Sequence, residues 1–177
     1  MRKQLGIAAV VVVAVVGYLA LRSWQSKRLE EAQGRNEAIS EATVAMKALN
    51  EADATFPGAV RAELSSVALD AMVAPARAGQ TLEAKLVPMF DRYLATFARA
   101  IAGAERVLAL EPDPDVAANV ERIRARAATV RTMRDGLTAL RARIAAGATG
   151  DEISRELQAI AVQALMTSSG APPPAGR

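Results

Sequence analysis

A single uninterrupted apolar segment stands out near the start of the chain. The stretch Leu5 to Leu21 carries no charge, and the phenol of Tyr18 is its one polar side-chain group. Basic residues flank this stretch on both sides: Arg2 and Lys3, then Arg22, Lys27 and Arg28. A helix of this length spans roughly 25 Å, which is the short end of what a bilayer core accepts. We therefore predict a single transmembrane helix in an anchor segment at 1–23, with the lipid bilayer as its partner.

The same pattern is also compatible with a secretory signal that is later removed. The apolar run exceeds the usual signal length, and Tyr18-Leu19-Ala20 is a poor small-x-small cleavage site, so we favour an uncleaved signal anchor. Basic residues on both sides leave the orientation undecided by charge. Because long domains are translocated largely regardless of charge, we predict a single-pass protein of the inner membrane. Its C-terminal domain would then lie in the periplasm.

Beyond the anchor, apolar residues recur every three or four positions, and chain breakers divide the pattern into five predicted helices. These helices run from about Trp24 to Thr55, Gly58 to Val73, Thr81 to Leu110, Pro114 to Ala146, and from Thr149 onward. The Pro57-Gly58 turn signal ends the first, and a loop from Pro75 to Gly79 follows the second. Pro88 lies inside the third, which predicts a kink or a restart near Val87.

Each predicted helix carries one apolar stripe. The first stripe is heptad-like and consists of Ile39, Ala42, Met46, Leu49 and Phe56, and the second of Val60, Leu64, Val67 and Ala71. The third holds Leu86, Phe90, Leu94, Phe97, Ile101, Ala104 and Leu108. The fourth is the longest, with Val116, Val120, Ile123, Ala127, Val130, Met133, Leu137, Leu140 and Ile144, and the fifth has Ile153, Leu157, Ile160 and Ala164. Such stripes favour a shared apolar core.

Capping signals mark the last two helices. Asp113 is a suitable cap for the fourth, with Pro114 at the first helical position. Gly147 is placed to end that helix, and Thr149 with Glu152 forms a plausible capping box for the fifth.

Long helices joined by short turns pack best as antiparallel neighbours. The predicted fold class is therefore all-α, with the transmembrane helix followed by an up-down bundle of four to five helices. We expect the bundle at 39–167, after a polar helical stalk at 24–38 that is either solvated or a coiled coil in need of a partner. A Pro-rich tail at 168–177 is expected to be disordered.

Composition narrows the chemistry. Hydrophobic residues make up 51% of the chain but aromatic residues only 3%, and there is neither cysteine nor histidine. The usual general base, the commonest metal-ligating nitrogen and thiolate chemistry are therefore missing. No phosphate-binding, dinucleotide-binding or hydrolase motif is present either. We predict no enzyme, no catalytic or metal-binding residue and no cofactor.

Charge is distributed unevenly along the chain. Residues 29–56 hold two basic and six acidic residues, whereas 115–147 hold seven basic and three acidic ones. We expect the acidic first helix and the basic fourth helix to be neighbours. The arginines of the fourth helix are alternatively suited to phosphate, but without aromatic stacking partners nearby we predict no nucleic-acid binding.

Three smaller clusters can each be interpreted either as a functional site or as ordinary surface or core residues. Glu37 and Glu41, with Glu30 or Glu51, would form an oxygen-rich metal face, although a solvated acidic face is the commoner meaning. Ser65, Ser66 and Asp70 lack any base beside them and are interpreted as surface polar residues. Phe90, Tyr93 and Phe97 are expected to form the aromatic core of the bundle rather than a ligand pocket.

These features favour a membrane-anchored, non-enzymatic structural or accessory protein. Its helical domain would bind a partner protein or self-associate into a homo-oligomer through helical faces. One alternative is an extracytoplasmic sensor or small-ligand-binding bundle, since facing helices can enclose a ligand. Another is a phage inner-membrane lysis protein of the spanin kind, which the layout resembles only in outline.

Overall fold

The computed structural model describes the backbone of residues 2–168 and the side chains of Arg22 and residues 27–163. This part of the chain is helical throughout apart from short connections, and it contains no strand. The all-α prediction is therefore confirmed. The chain forms two compact units, Met1–Ser40 and Glu41–Arg177, and α1 contributes residues to both.

Five α-helices and one π-helical turn make up the described backbone. They are α1 (Arg2–Val73), α2 (Pro75–Thr81), the π turn (Leu82–Leu86), α3 (Val87–Leu110), α4 (Pro114–Ala145) and α5 (Gly150–Ser168). Because α2, the π turn and α3 follow one another without a gap, the chain makes four helical passes.

In the first unit, α1 is solvent-exposed over residues 27–37 of the predicted stalk, whereas Ala38 at the end of the stalk is buried. Every side chain from residue 27 to 37 is exposed, and Leu29 is 64% accessible. No helix within the described residues has a stretch that is long and apolar enough to cross a membrane. The anchor predicted at 1–23 lies outside the described side chains, except for Arg22, and residues 169–177 of the predicted tail also lie outside the description.

The predicted break at Pro57-Gly58 is wrong, because α1 continues through both residues to Val73. Pro57 has no N–H to donate to the carbonyl of Asp53, which costs about 3 kcal/mol in a helix interior. The apolar stripe on the two sides of Pro57 is nevertheless in one phase, since Phe56 and Val60 are both buried. Burial of this continuous face outweighs the lost hydrogen bond.

Two further expectations about α1 and its continuation need correction. Ile39 was expected in the buried stripe but is 43% exposed, whereas the adjacent Ala38 is buried. At this point of α1 the buried face therefore contains Ala38, one residue before the position that the sequence pattern predicted. The expected loop from Pro75 to Gly79 is helical and belongs to α2, because Pro75 occupies the first helical turn, where a missing N–H costs nothing.

The restart predicted near Val87 is confirmed. The π turn ends there, and the N–H of Val87 donates to the carbonyl of Leu82, five residues earlier. One extra residue in this turn shifts the chain before Pro88, whose ring would otherwise crowd the carbonyl of Ala84. α3 then begins at Val87 with Pro88 in its first turn.

Within the second unit, the C-terminal part of α1 runs antiparallel to α3. Contacts step regularly towards the turn at Ala74: Glu41 with Arg106, Asp53 with Tyr93 and Phe56 with Phe90 of α3, and then Glu63 with Lys85 of the π turn. α4 returns along α3, and α5 returns along α4. The predicted up-down bundle is thus confirmed for this unit.

The apolar stripe of α4 is confirmed in detail. Eight of its nine predicted positions are buried, and Val116 in the first turn is half-buried. From Ile123 to Ile144 these side chains form one core with Leu49, Phe56, Leu64, Leu86, Phe90, Phe97, Ile153, Leu157 and other buried residues of the helical passes. α4 supplies the longest stripe of this core.

The helix caps match the sequence prediction. Asp113 Oδ1 accepts hydrogen bonds from the N–H groups of Asp115 (2.8 Å) and Val116 (3.2 Å). α4 ends at Ala145, Gly147 follows with a φ of +96° that suits glycine, and the N–H of Ala148 donates to the Arg143 carbonyl at 3.0 Å. In the capping box, the N–H of Thr149 donates to Glu152 at 2.9 Å. That hydrogen bond lowers the pKa of Glu152.

A close backbone approach between α1 and α3 depends on a glycine. A Cβ built on Gly103 would lie 2.9 Å from the Cα of Ala42, nearer than real Cβ atoms come to backbone. Gly103 is therefore required because the two helices touch there, and its own backbone conformation is an ordinary helical one.

This contact gives a test of the bundle. Gly103→Ala should lower the free energy of unfolding by about 1–3 kcal/mol, because the helices must separate or shift. Denaturant unfolding of the detergent-solubilised full chain measures the change. The matched control is Gly58→Ala, which meets nothing within 4 Å and should stabilise α1 by about 0.5–1 kcal/mol. Equal effects at the two glycines would contradict the close approach.

Candidate functional site

Four aromatic rings meet where α1 faces α3. Phe56 of α1 stacks on Tyr93 with ring centroids 3.9 Å apart, and it meets Phe90 edge-on at 5.0 Å. Tyr93 in turn packs edge-on against Phe97 at 4.8 Å. All four residues are buried, as expected for the three aromatic residues of α3. This aromatic cluster fills the interface in the middle of the bundle.

A polar chain lies at the edge of the aromatic cluster and links three helices. The Tyr93 hydroxyl of α3 donates a hydrogen bond to Asp53 of α1, and Arg126 of α4 contacts the other carboxylate oxygen of Asp53 at 2.9 Å. The guanidinium of Arg126 also lies 5.4 Å from the centroid of the Phe97 ring, within cation–π range. This Tyr93–Asp53–Arg126 triad satisfies polar groups that the helices bring together.

The triad is suited to holding helices together and unsuited to acid–base chemistry. Burial raises the pKa of Tyr93 well above its usual value, and the hydrogen bond and charge of Asp53 raise it further. The phenol therefore stays protonated and acts as a donor. Asp53 already has two partners, a hydrogen bond from Tyr93 and an ion pair with Arg126, and within the triad the Nε atom of Arg126 is buried without a hydrogen-bond partner.

The arginines of α4 are largely engaged by carboxylates of other helices. The interhelical pairs are Arg124 with Glu105, Arg126 with Asp53, Arg134 with Asp91 (3.0 Å), Arg141 with Glu83 (2.8 Å) and Arg143 with Glu156. Only Asp53 among these acids belongs to α1, so the expected pairing of the acidic and basic helices occurs at one place. The remaining pairs connect α4 to the π turn, α3 and α5. The row of arginines thus works mainly as an internal docking face.

The carboxylates proposed as a metal face are placed differently. Glu41 pairs with Arg106 of α3, and Glu51 lies 3.9 Å from Lys47 on its own helix. Over the described residues, no group of three or more acidic side chains is close enough to hold a metal ion.

The serines of α1 are placed at the surface. Ser65 is exposed, and its hydroxyl donates to the carbonyl of Arg61 at 2.9 Å, while Ser66 is also exposed. Asp70 is half-buried and accepts a hydrogen bond from Thr81 at 3.4 Å. Among the described side chains, no hydrogen bond joins Ser65 or Ser66 to Asp70.

A surface feature that the sequence patterns did not single out lies at the end of α1. Leu69, Met72 and Val73 are 68%, 75% and 88% exposed, and their spacing of three and four residues places them side by side. We call these three residues the α1 tip. The signal was present in the sequence, because apolar residues continue outside the stripe that contains Val67 and Ala71.

The α1 tip adjoins an acidic helix start. A Cβ on Gly150, at the beginning of α5, would lie 2.9 Å from the Ala71 carbonyl and 3.6 Å from the Met72 Cα, so the two helix ends are in contact. Asp151 and Glu152 follow directly and are exposed. The apolar surface therefore has carboxylates on one side.

Comparison with known proteins gives no further guidance: no protein-family model, no curated protein and no solved structure matches this chain.

The triad makes a measurable prediction about stability. Tyr93→Phe should lower the free energy of unfolding by about 1 kcal/mol, because it removes one buried hydrogen bond and keeps the ring. Asp53→Ala should cost about 2 kcal/mol, since it takes a charged partner from both Tyr93 and Arg126. Denaturant unfolding of the full chain measures both changes.

A matched control for the triad is Thr132→Val on the exposed side of α4, where the hydroxyl donates only to the Ala128 carbonyl of its own helix at 3.2 Å. It should change stability by less than about 0.5 kcal/mol. If Asp53→Ala were as mild as this control, the triad would contribute nothing to holding the three helices together.

Proposed function

We propose that this protein is a membrane-anchored, non-enzymatic accessory protein whose helical domain binds a partner protein. The observation that carries the proposal is the α1 tip, where three large apolar side chains stand in solvent beside a filled core. Large apolar residues on a surface are informative when they are contiguous, because such patches commonly mark interaction sites.

The anchor part of the proposal rests on the sequence. The uncharged run from Leu5 to Leu21 with basic flanks supports a single transmembrane helix at 1–23. The proposed location is the inner membrane, with residues 24–177 on the periplasmic side. α1 as a continuous helix from Arg2 is compatible with a helical membrane segment.

The accessory part of the proposal rests on how the polar groups are used. Carboxylates and guanidinium groups along α3 and α4 pair with one another, and the phenol of Tyr93 is held protonated. The sequence offers no histidine or cysteine as an alternative base or nucleophile. A binding role suits this arrangement better than catalysis does.

The α1 tip fits a partner protein better than a second copy of this chain. Obligate homodimers commonly bury about 2,000 Å² or more in total, and three side chains supply only a small fraction of that area. A few exposed apolar anchors are, by contrast, typical of the hot spot at the centre of a smaller interface. Because Asp151 and Glu152 lie beside the tip, the partner surface is expected to be apolar with basic residues at its edge.

Photocrosslinking tests this assignment in the native membrane. A photoreactive amino acid at Met72 of the full chain should give an adduct with another protein, whereas the same group at Asn50 should not. Both positions are exposed on α1, but Asn50 lies about 33 Å from Met72 along the helix axis. The added mass of the adduct shows whether the captured molecule is a different protein or a second copy.

A companion variant makes the result specific. Leu69→Glu should abolish the Met72 adduct while leaving the thermal unfolding of the bundle unchanged, because Leu69 is 68% exposed. Adducts of equal yield at Met72 and Asn50, or an adduct that survives Leu69→Glu, would contradict docking at the α1 tip. An adduct with the mass of two copies would contradict binding of a different protein and would show that the α1 tip self-associates.

A further inference from the structure

The stalk segment of α1 combines full exposure with a regular helix. All side chains from 27 to 37 are exposed, although the backbone is helical through this segment. An isolated helical segment of this length is marginal in water, because helices gain most of their stability from packing an apolar face. A helix that is exposed on every side in one copy of the chain is therefore a candidate for pairing.

One face of the stalk has the repeat of a coiled coil. Leu29, Ala32, Asn36 and Ile39 follow one another at intervals of three, four and three residues, which are the a and d positions of two heptads. Leu29 is 64% exposed and Ile39 is 43% exposed. Asn36 occupies an a position, where a single asparagine fixes the register of a two-stranded coiled coil.

The charged residues beside this face distinguish the two possible orientations. Arg28 and Arg35 fall at g positions, and Gln33 and Ser40 fall at e positions. In a parallel pair, g faces e of the partner helix, so each arginine meets an uncharged side chain. In an antiparallel pair, g faces g, and the arginines of the two copies would oppose each other. The parallel arrangement avoids this like-charge contact.

The rest of the stalk surface does not oppose association. Residues 27–37 contain three basic and three acidic side chains, so two stalks carry no net charge towards each other. Gly34 lies on the side of the helix opposite to the heptad face, and a Cβ built there meets nothing within 4 Å. The apolar face is thus bounded by neutral or balanced surface.

We infer that the stalk pairs with the stalk of a second copy as a parallel two-stranded coiled coil through Leu29, Ala32, Asn36 and Ile39. The inference rests on the proposed anchor, because two heptads alone are short for a stable coiled coil. Anchoring in one membrane gives every copy the same orientation and raises the effective concentration of neighbouring stalks. The assembly is then a dimer in which each copy presents its own α1 tip.

Single-cysteine crosslinking tests the coiled coil directly, since the chain has no native cysteine. Ala32→Cys, Asn36→Cys and Gly34→Cys are compared in the full chain, in native membranes, with a short bismaleimide. We expect the covalent dimer at Ala32 and Asn36 to exceed that at Gly34 by at least about tenfold, because the outer faces of a coiled coil lie far apart. Leu29→Cys and Ile39→Cys decide the orientation, because these two seam positions lie about 15 Å apart along the helix and both reach their counterparts only in a parallel, in-register pair.

Each other outcome overturns the inference. Equal yields at all three positions would mean random collision in the membrane, and low yields at all three would mean that the stalk is not paired. High yield at only one core position would indicate an antiparallel crossing. Leu29→Glu should reduce the Ala32 crosslink at least about tenfold by placing a charge in the seam.

The partner-protein proposal can fail separately. If the stalk crosslinks are absent but Met72 still gives an adduct with another protein, the chain binds its partner as a monomer. If the stalk crosslinks are present and the Met72 adduct is absent, the dimer stands and the α1 tip is not the docking surface.

Discussion

The bundle depends on burial of one continuous apolar face along α1. Pro57 lies within this face, with Phe56 before it and Val60, Leu64 and Val67 after it. Each of these four apolar side chains is at most 8% exposed. Full burial of one such side chain contributes about 1.5–3 kcal/mol, so the set outweighs the roughly 3 kcal/mol that a proline costs inside a helix. The stacking of Phe56 on Tyr93 then places α3, and the triad connects both helices to α4.

Once α1 and α3 are in contact, the remaining polar groups follow from the packing. Arginines of α4 reach carboxylates of α1, α3, the π turn and α5. Exposed pairs of this kind contribute less than about 1 kcal/mol each, so their main effect is to select the register in which the helices meet. These ion pairs also occupy guanidinium groups that would otherwise be available to bind an anion. The α1 tip differs from this charged surface because it is apolar and exposed.

The sequence predicted those features that depend on local chemistry. Asp113, Gly147 and the Thr149–Glu152 box act through their own turns, and the nine-position stripe of α4 needs no knowledge of its neighbours. The continuity of α1 through Pro57 could not be predicted, because it depends on the rings of α3 that cover Phe56. The α1 tip was missed for the opposite reason. A search for buried stripes passes over apolar residues that stay in solvent.

The central claim is that a helical domain is held at the membrane on its periplasmic side and acts through exposed helical faces. Ser65→Cys, exposed on α1, is labelled with an impermeant maleimide in intact cells, and Val67→Cys, which replaces a fully buried side chain, is the control. We predict a labelled Ser65→Cys chain of full mass in the membrane fraction and an unlabelled Val67→Cys chain. Labelling of Ser65→Cys only after lysis would place the domain in the cytoplasm, and a shortened, soluble labelled chain would show that the anchor is removed. Either result would contradict the account.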